Sequence, residues 1–210
     1  MIVVARRELL VGSSMLLAGM ATQALHAQIA PKTPIPPQPE VAPVNAPSTI
    51  TIADRNEPGD RLVVTGRVFA ADGKTPIRGV SIYAYHTDAK GIYNPAIDSR
   101  PDRNPRLYGY MRTDARGRYE FATIRPGPYP NDTIPAHIHY VVSMPGYRTL
   151  HPEVLFSGDP LISDMYRTEV AKPRGRFSIP DLTKDAQGAW HITQDFFLRP
   201  LVDGGNVLAR

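Results

Sequence analysis

His137 and His139 stand two residues apart in Pro135-Ala136-His137-Ile138-His139. Side chains alternate across a strand, so both imidazoles project from one face while Ile138 points the other way. Neutral imidazole is a common ligand for Zn, Cu, Fe and Ni, and two of them on a rigid strand share one ion without rearranging the backbone. A His-x-His pair by itself also occurs on solvated strands. Here further donors lie close by in sequence. Tyr129 stands between Pro128 and Pro130, which restrict the backbone on both sides of it. Tyr93 closes the run from Tyr85, a strand end passing into the turn at Gly91. Two tyrosines and two histidines form a hard, partly anionic ligand set, because phenolate is a strong oxygen donor that favours a highly charged cation. Ferric iron is its natural occupant. Zinc is more usually held by His with Cys or carboxylate, and the chain contains no cysteine.

Such a set needs a rigid frame. From Ile50 onward the sequence supplies short apolar runs bounded by Gly, Pro and Asp, the pattern of an all-β fold built as a two-sheet β-sandwich with long loops. Strands are predicted at 61–69, 80–85, 118–124, 138–144, 149–156 around Pro152, and 189–198. Turns are expected at Asp72-Gly73, Asp114 to Gly117 and Pro145-Gly146. The strand at 80–85 leads to Tyr93. A short helix fits 164–172, and the polar loop 100–106, with Pro101 and Pro105, suits the mouth of a substrate site. Tyr83, Tyr85, Tyr119 and Tyr140 alternate with apolar residues and read as sandwich packing. His26 falls in the leader described below, while His86, His151 and His191 lack partners at ligand spacing and read as surface or hydrogen-bonded core. Asp88, Asp114 and Asp159 sit beside glycines, where turn formation accounts for them. No Ser-His-Asp arrangement, P-loop or dinucleotide fingerprint is recognisable.

Several ordered blocks between about Gly66 and Asp159 carry a resemblance: Gly66-Arg67-Val68, Pro76-Ile77-Arg78-Gly79-Val80, Asp88 to Tyr93, Thr113 to Phe121, Thr123 to Pro130, and Pro135 to His139. Together they resemble the intradiol ring-cleavage dioxygenases of the protocatechuate 3,4-dioxygenase and catechol 1,2-dioxygenase type. That resemblance implies a non-haem Fe(III) held by Tyr93, Tyr129, His137 and His139. It also implies that a catechol binds the iron through both oxygens, displacing the tyrosinate that Tyr129 matches, and that O2 cleaves the ring to a muconate-type diacid. Tyr129, once released, would act as general base while Tyr93 remains bound.

The sequence also departs from the family. The place three residues before the first histidine, commonly an arginine, holds Ile134, and the segment between Tyr129 and His137 is shortened. Tyr85 stands where the family often has Trp. Arg100, Arg103 and Arg125 are the arginines available to take over. An open pocket and slower turnover are expected, since a preorganised charge beside developing substrate charge is worth about a hundredfold in rate. A second class of function has the same ancestry: a non-catalytic transthyretin-like sandwich used for binding, since Gly-x-Val with Pro-x-x-Gly-x-x-Val patterns also occur in such modules. Retention of both Tyr and both His favours the enzyme.

The 210 residues predict one main domain with appendages. Residues 1–27 have the build of a twin-arginine-like signal peptide, with Arg6-Arg7, an apolar run from Leu9 to Ala21 and a small-residue end at Ala27. The apolar run is about a dozen residues, short of the roughly 20 that span a bilayer, so no stable membrane span is expected once the leader is removed. Residues 28–58 are a Pro-rich linker or arm, and 59–210 the sandwich. These features predict a periplasmic or secreted protein, and the lack of cysteine means that no disulfide has to form outside. The net charge of +4 becomes +3 without Arg6, Arg7 and Glu8, and basic residues are interspersed with acidic ones, which excludes a nucleic-acid footprint. The expected partners are a small aromatic diol and O2. The sequence neither specifies nor excludes a homo-oligomer.

Overall fold

The computed structural model describes residues 40–95, 104–172 and 175–201. The leader, the first part of the Pro-rich arm, and Arg100 and Arg103 lie outside them. The described chain forms two sheets. The larger has the order β1-β5-β2-β10-β9 with β11 also on β2, and the smaller the order β4-β3-β6-β7-β8. The elements are β1 Thr49–Thr51, β2 Arg61–Ala70, β3 Ser81–His86, β4 Leu107–Arg112, β5 Arg118–Ile124, β6 His137–Ser143, β7 Glu153–Leu155, α1 Asp164–Val170, β8 Phe177–Ser178, β9 Thr183–Lys184, β10 Trp190–Thr193 and β11 Phe196–Leu198. No helix among the described residues is long and apolar enough to cross a membrane.

The core follows from period-2 alternation. Leu62, Val64 and Val68 of β2 and Tyr119 and Phe121 of β5 face Ile82 and Ala84 of β3 and Ile138, Tyr140 and Val142 of β6. Phe121 and Tyr140 meet across the layer with ring centroids 6.2 Å apart, and each fully buried large side chain of this kind contributes roughly 1.5–3 kcal/mol. Tyr119 and Tyr140 pack in the sandwich as expected. Tyr83 and Tyr85 do not: they lie on the outer face of the smaller sheet, where Tyr83 stacks on Tyr85 at 5.1 Å and on Tyr110 at 4.9 Å.

Four elements differ from the sequence expectation. The strand β4 is additional, because its inward positions are Leu107, Gly109 and Met111. A Cβ at Gly109 would lie 2.3 Å from Ile50 Cδ1, so a glycine that reads as a breaker is the space Ile50 fills. The same contact explains β1. Residues 49–51, within the segment expected as an arm, pair in parallel with β5 and send Ile50 into the core. The single strand expected at 189–198 is two, both parallel to β2 and broken at Gln194 and Asp195, where Asp195 Oδ1 accepts Arg67 N–H at 2.8 Å. The 149–156 strand shortens to Glu153–Leu155, with Pro152 just before it.

His86 links the sheets beside the site. Its Nδ1 donates to Thr87 O at 2.7 Å, and its Nε2 lies 2.7 Å from Thr123 Oγ1, from which the neutral ring accepts. His191 pairs with Asp185 at 2.8 Å. Burial pushes the His86 pKa from 6.5 down to about 4. A depressed folded-state pKa means that the unfolded chain takes up the proton first. The stabilisation is therefore complete above pH 6.5 and is lost as pH falls towards 4, by about 3 kcal/mol in all. Urea titrations over this range should show the decline, and His86→Gln, which can meet the same two oxygens, should begin less stable and show a flatter pH dependence.

Candidate metal centre

Register sets the floor of the site. Tyr85 of β3 lies opposite His139 of β6, and His139 lies opposite Glu153 of β7. The three side chains form a row across the outer face of the smaller sheet, because alternation that buries Ile138, Tyr140 and Val142 turns His137 and His139 outward. Tyr85 stacks on the His139 ring with centroids 4.7 Å apart and an interplanar angle of 15°. Beside His137, Leu155 joins Ile162, Tyr166 and Phe177 in a small core under α1, which closes that end of the face.

The two tyrosines arrive on loops that are tied together. Asp88 Oδ1 accepts the N–H groups of Lys90 and Ile92, at 2.8 and 3.0 Å, and turns the chain towards Tyr93. The second loop docks on this turn: Gly127 N–H donates to Asp88 O at 2.9 Å, and Thr87 Oγ1 donates to Gly127 O at 2.8 Å. Gly91 makes the approach possible. Its φ is +81°, and a Cβ there would lie 1.9 Å from Pro128 O, so the Tyr93 loop passes directly against the backbone that carries Tyr129. Asp159 is also a turn residue, accepting Leu161 N–H at 2.9 Å. Its other oxygen accepts Ala136 N–H at 3.0 Å, steadying the entry to β6.

All four residues singled out from the sequence come together. Tyr93 Oη lies 2.6 Å from Tyr129 Oη, which lies 3.2 Å from His137 Nε2 and 3.5 Å from His139 Nε2; the two Nε2 atoms are 2.9 Å apart. Hydrogen bonds on the far nitrogens settle the tautomers. His137 Nδ1 donates to Pro135 O at 2.7 Å, and His139 Nδ1 faces the Glu153 carboxylate at 3.2 Å. In the neutral form each ring, with its proton on Nδ1, presents a lone pair on Nε2. Two nitrogen lone pairs and two phenol oxygens at such distances repel one another unless protons or a cation lie among them. The donor chemistry thus fits a metal, and the set is the hard one expected for iron.

Glu153 was not anticipated. It is 6% exposed, and the ligand atoms of His137, His139 and Glu153 all fall within 4.8 Å of one another. Its only cue was a carboxylate in an apolar strand, and nothing local shows which strand it will face. Burial pushes its carboxyl up, but the hydrogen bond and charge of His139, with His137 and Arg176, outweigh this and hold it at about 2. Burial, with His139 alongside, lowers the His137 pKa.

A cleft of about 480 Å³ opens over the phenols, lined by Tyr85, Gly91, Ile92, Tyr93, Tyr129, Pro130 and His139. Tyr85 is thus a wall of the cleft rather than core. Tyr93 is 5% exposed and Tyr129 half-buried. A depression of about 620 Å³ on the other sheet is lined by polar groups such as Arg67, Asp114, Arg118 and Asp195 and contains none of the converging donors. Ile134 is half-buried, with its N–H 3.3 Å from Asp132 Oδ1. The guanidinium of Arg125 sits over the Phe156 ring at 5.4 Å, and Arg125 is not among the cleft residues.

The profile of a family described as Dioxygenase matches residues 37–200. The chain is 35% identical over 127 residues to catechol 1,2-dioxygenase 2 of Acinetobacter lwoffii, covering 53% of this chain and 45% of that protein. It is 35% identical over 134 residues to the protocatechuate 3,4-dioxygenase beta chain of Burkholderia cepacia, covering 59% and 57%. The chain therefore spans about half the length of these curated relatives. Among solved structures, the dioxygenase domain of a dioxygenase and carbohydrate-binding fusion from Streptomyces sp. SirexAA-E superposes with a TM-score of 0.57 at 25% identity, covering 80% of this chain and all of that one.

The Gly91 contact yields a direct expectation. Gly91→Ala puts a methyl group against Pro128 O and penalises the positive φ, so the two loops must separate and the phenols with them. The variant should lose about 1–3 kcal/mol of stability and bind metal at least tenfold more weakly than wild type, as measured by thermal unfolding and chelator competition.

Proposed function

From membership of the intradiol ring-cleavage dioxygenase family, to which the chain belongs, we propose that it is a non-haem iron enzyme of aromatic-compound breakdown. It opens a catechol-type ring with O2 between the two hydroxyl-bearing carbons, giving a muconate-type diacid. The observation that carries this reading is the convergence of two imidazole Nε2 atoms and two phenol oxygens at the floor of an aromatic-walled cleft. Tyr93, Tyr129, His137 and His139 would hold the iron. When bound as Fe(III), it supplies Lewis acidity that binds the diol oxygens and makes the ring electron-rich towards O2.

The remaining chemistry belongs to the chain. Both tyrosines line the cleft, and the role of the mobile one falls to Tyr129, which is half-buried, whereas Tyr93 is enclosed and follows the Asp88 turn. The Tyr129 Oη would take up a proton from a substrate hydroxyl, with the Tyr93 Oη 2.6 Å away as its hydrogen-bond partner. Tyr85, Ile92 and Pro130 border a slot suited to a flat apolar ring. With no cation among the described residues that line it, the slot favours neutral catechols over carboxylated ones.

Export remains a reading of residues 1–27, supported by Arg6-Arg7 and the apolar run behind them. A twin-arginine route carries folded proteins, which allows the iron to be inserted before transport. Replacing Arg6 and Arg7 by Lys should leave precursor inside the cell. Undiminished export of the mature protein would show that another route serves it.

Iron-loaded protein should be red-brown from phenolate-to-Fe(III) charge transfer and should consume O2 with catechol. Tyr129→Phe should keep a Tyr93-derived colour while kcat/KM falls by about 10²–10⁴. A colourless protein that carries stoichiometric zinc, gains no colour with iron and turns over no catechol would overturn the assignment and leave a binding module.

A further inference from the structure

The two histidines of the site have unlike partners. His137 Nδ1 donates to a neutral backbone oxygen, Pro135 O, at 2.7 Å. His139 Nδ1 faces the carboxylate of Glu153 at 3.2 Å, and the same Oε1 accepts from Arg176 Nη2. Glu153 is buried and lies directly across the sheet from His139, its backbone N–H donating to Arg176 O at 2.8 Å. Arg176 reaches it from the surface, its side chain 64% exposed and its guanidinium 5.6 Å over the Phe177 ring. Glu153 sits on the opposite nitrogen of His139 from the one that faces Tyr129, which places the carboxylate behind the ring rather than among the converging donors.

A neutral acceptor is enough to orient an imidazole, as His137 demonstrates. What a carboxylate adds is charge. By drawing the Nδ1 proton it leaves more electron density on Nε2, and a more basic ligand favours the higher-charged state of a metal. A shared arginine takes back part of that charge. Resting on the iron reading above, we propose that Glu153 is a positioning residue that makes His139 the stronger of the two imidazole donors and biases the bound iron towards Fe(III). Arg176 sets how much of the carboxylate charge reaches the ring.

The test uses iron-loaded, substrate-free protein and reads reduction potential, Fe(III) affinity by chelator competition and the visible charge-transfer band. Glu153→Gln keeps an acceptor and removes the charge. Fe(III) affinity should fall by about 10- to 100-fold, and the potential should rise by about 59 mV for each tenfold loss of Fe(III) relative to Fe(II) binding. The band should move to longer wavelength, and Glu153→Asp should recover part of each change. Arg176→Met, at an exposed side chain, should shift the potential the other way and keeps the idea testable if Glu153→Gln folds poorly. Variants that bind iron with the potential and affinity of wild type would overturn this inference while leaving the enzyme reading intact. Abolition of iron binding by Glu153→Gln, unrescued by Asp, would make Glu153 a ligand and also overturn it. Wild-type protein that takes up no iron would overturn both.

Discussion

The register of β6 between β3 and β7 is the constraint on which the rest depends. Ile138, Tyr140 and Val142 are driven inward because they complete the core against Phe121, Leu62 and Phe196. Given a side-chain period of two, His137 and His139 must then face out, opposite Leu155 and Glu153 on one side and with Tyr85 beside His139 on the other. A slip of one residue would bury two imidazoles in the core and expose the apolar set. The free energy of the hydrophobic core thus also holds the placement of the donors, without a separate device.

The phenols are positioned differently. Neither is on a strand, so neither is placed by alternation; their location comes from two loops sharing backbone hydrogen bonds through Asp88 and Gly127. A contact as close as that of Gly91 with Pro128 O leaves little room for either loop to shift alone. The consequence is two modes of placement within one site. The histidines belong to the sheet, Tyr93 is enclosed by its turn, and Tyr129 is half-buried at the cleft on a backbone that prolines restrain.

Charge is arranged in layers behind the donors. Glu153 and Arg176 lie on the far side of His139, and Glu57, Arg106 and Asp88 form a second group under the Tyr93 turn, with Arg106 bonding both Glu57 oxygens at 2.6 and 2.8 Å. Among the described residues no cation lines the cleft itself. Whatever electrostatic help the substrate receives from the described residues must therefore come through the ligands.

Much of this was legible in the chain itself. The His-x-His pair, the proline-framed Tyr129 and the Gly turn before Tyr93 are local patterns, and local patterns report local geometry: alternation, restricted φ and turn formation. The same holds for the strands at 61–69, 80–85 and 118–124. What stayed hidden needed a neighbour from elsewhere. Gly109 looks like a breaker until Ile50 is seen to fill its space, so β4 and β1 could be recognised only together. Tyr85 alternates like a core residue, and only the packing of β3 between β4 and β6 shows that its face is the outer one. Glu153 is an ordinary strand residue until β7 is placed beside β6. Sequence by itself determined which residues could bind a metal, because donor chemistry and strand period are properties of the chain. Only the tertiary structure decided what stands behind them, because cross-strand pairing joins residues that no local rule relates.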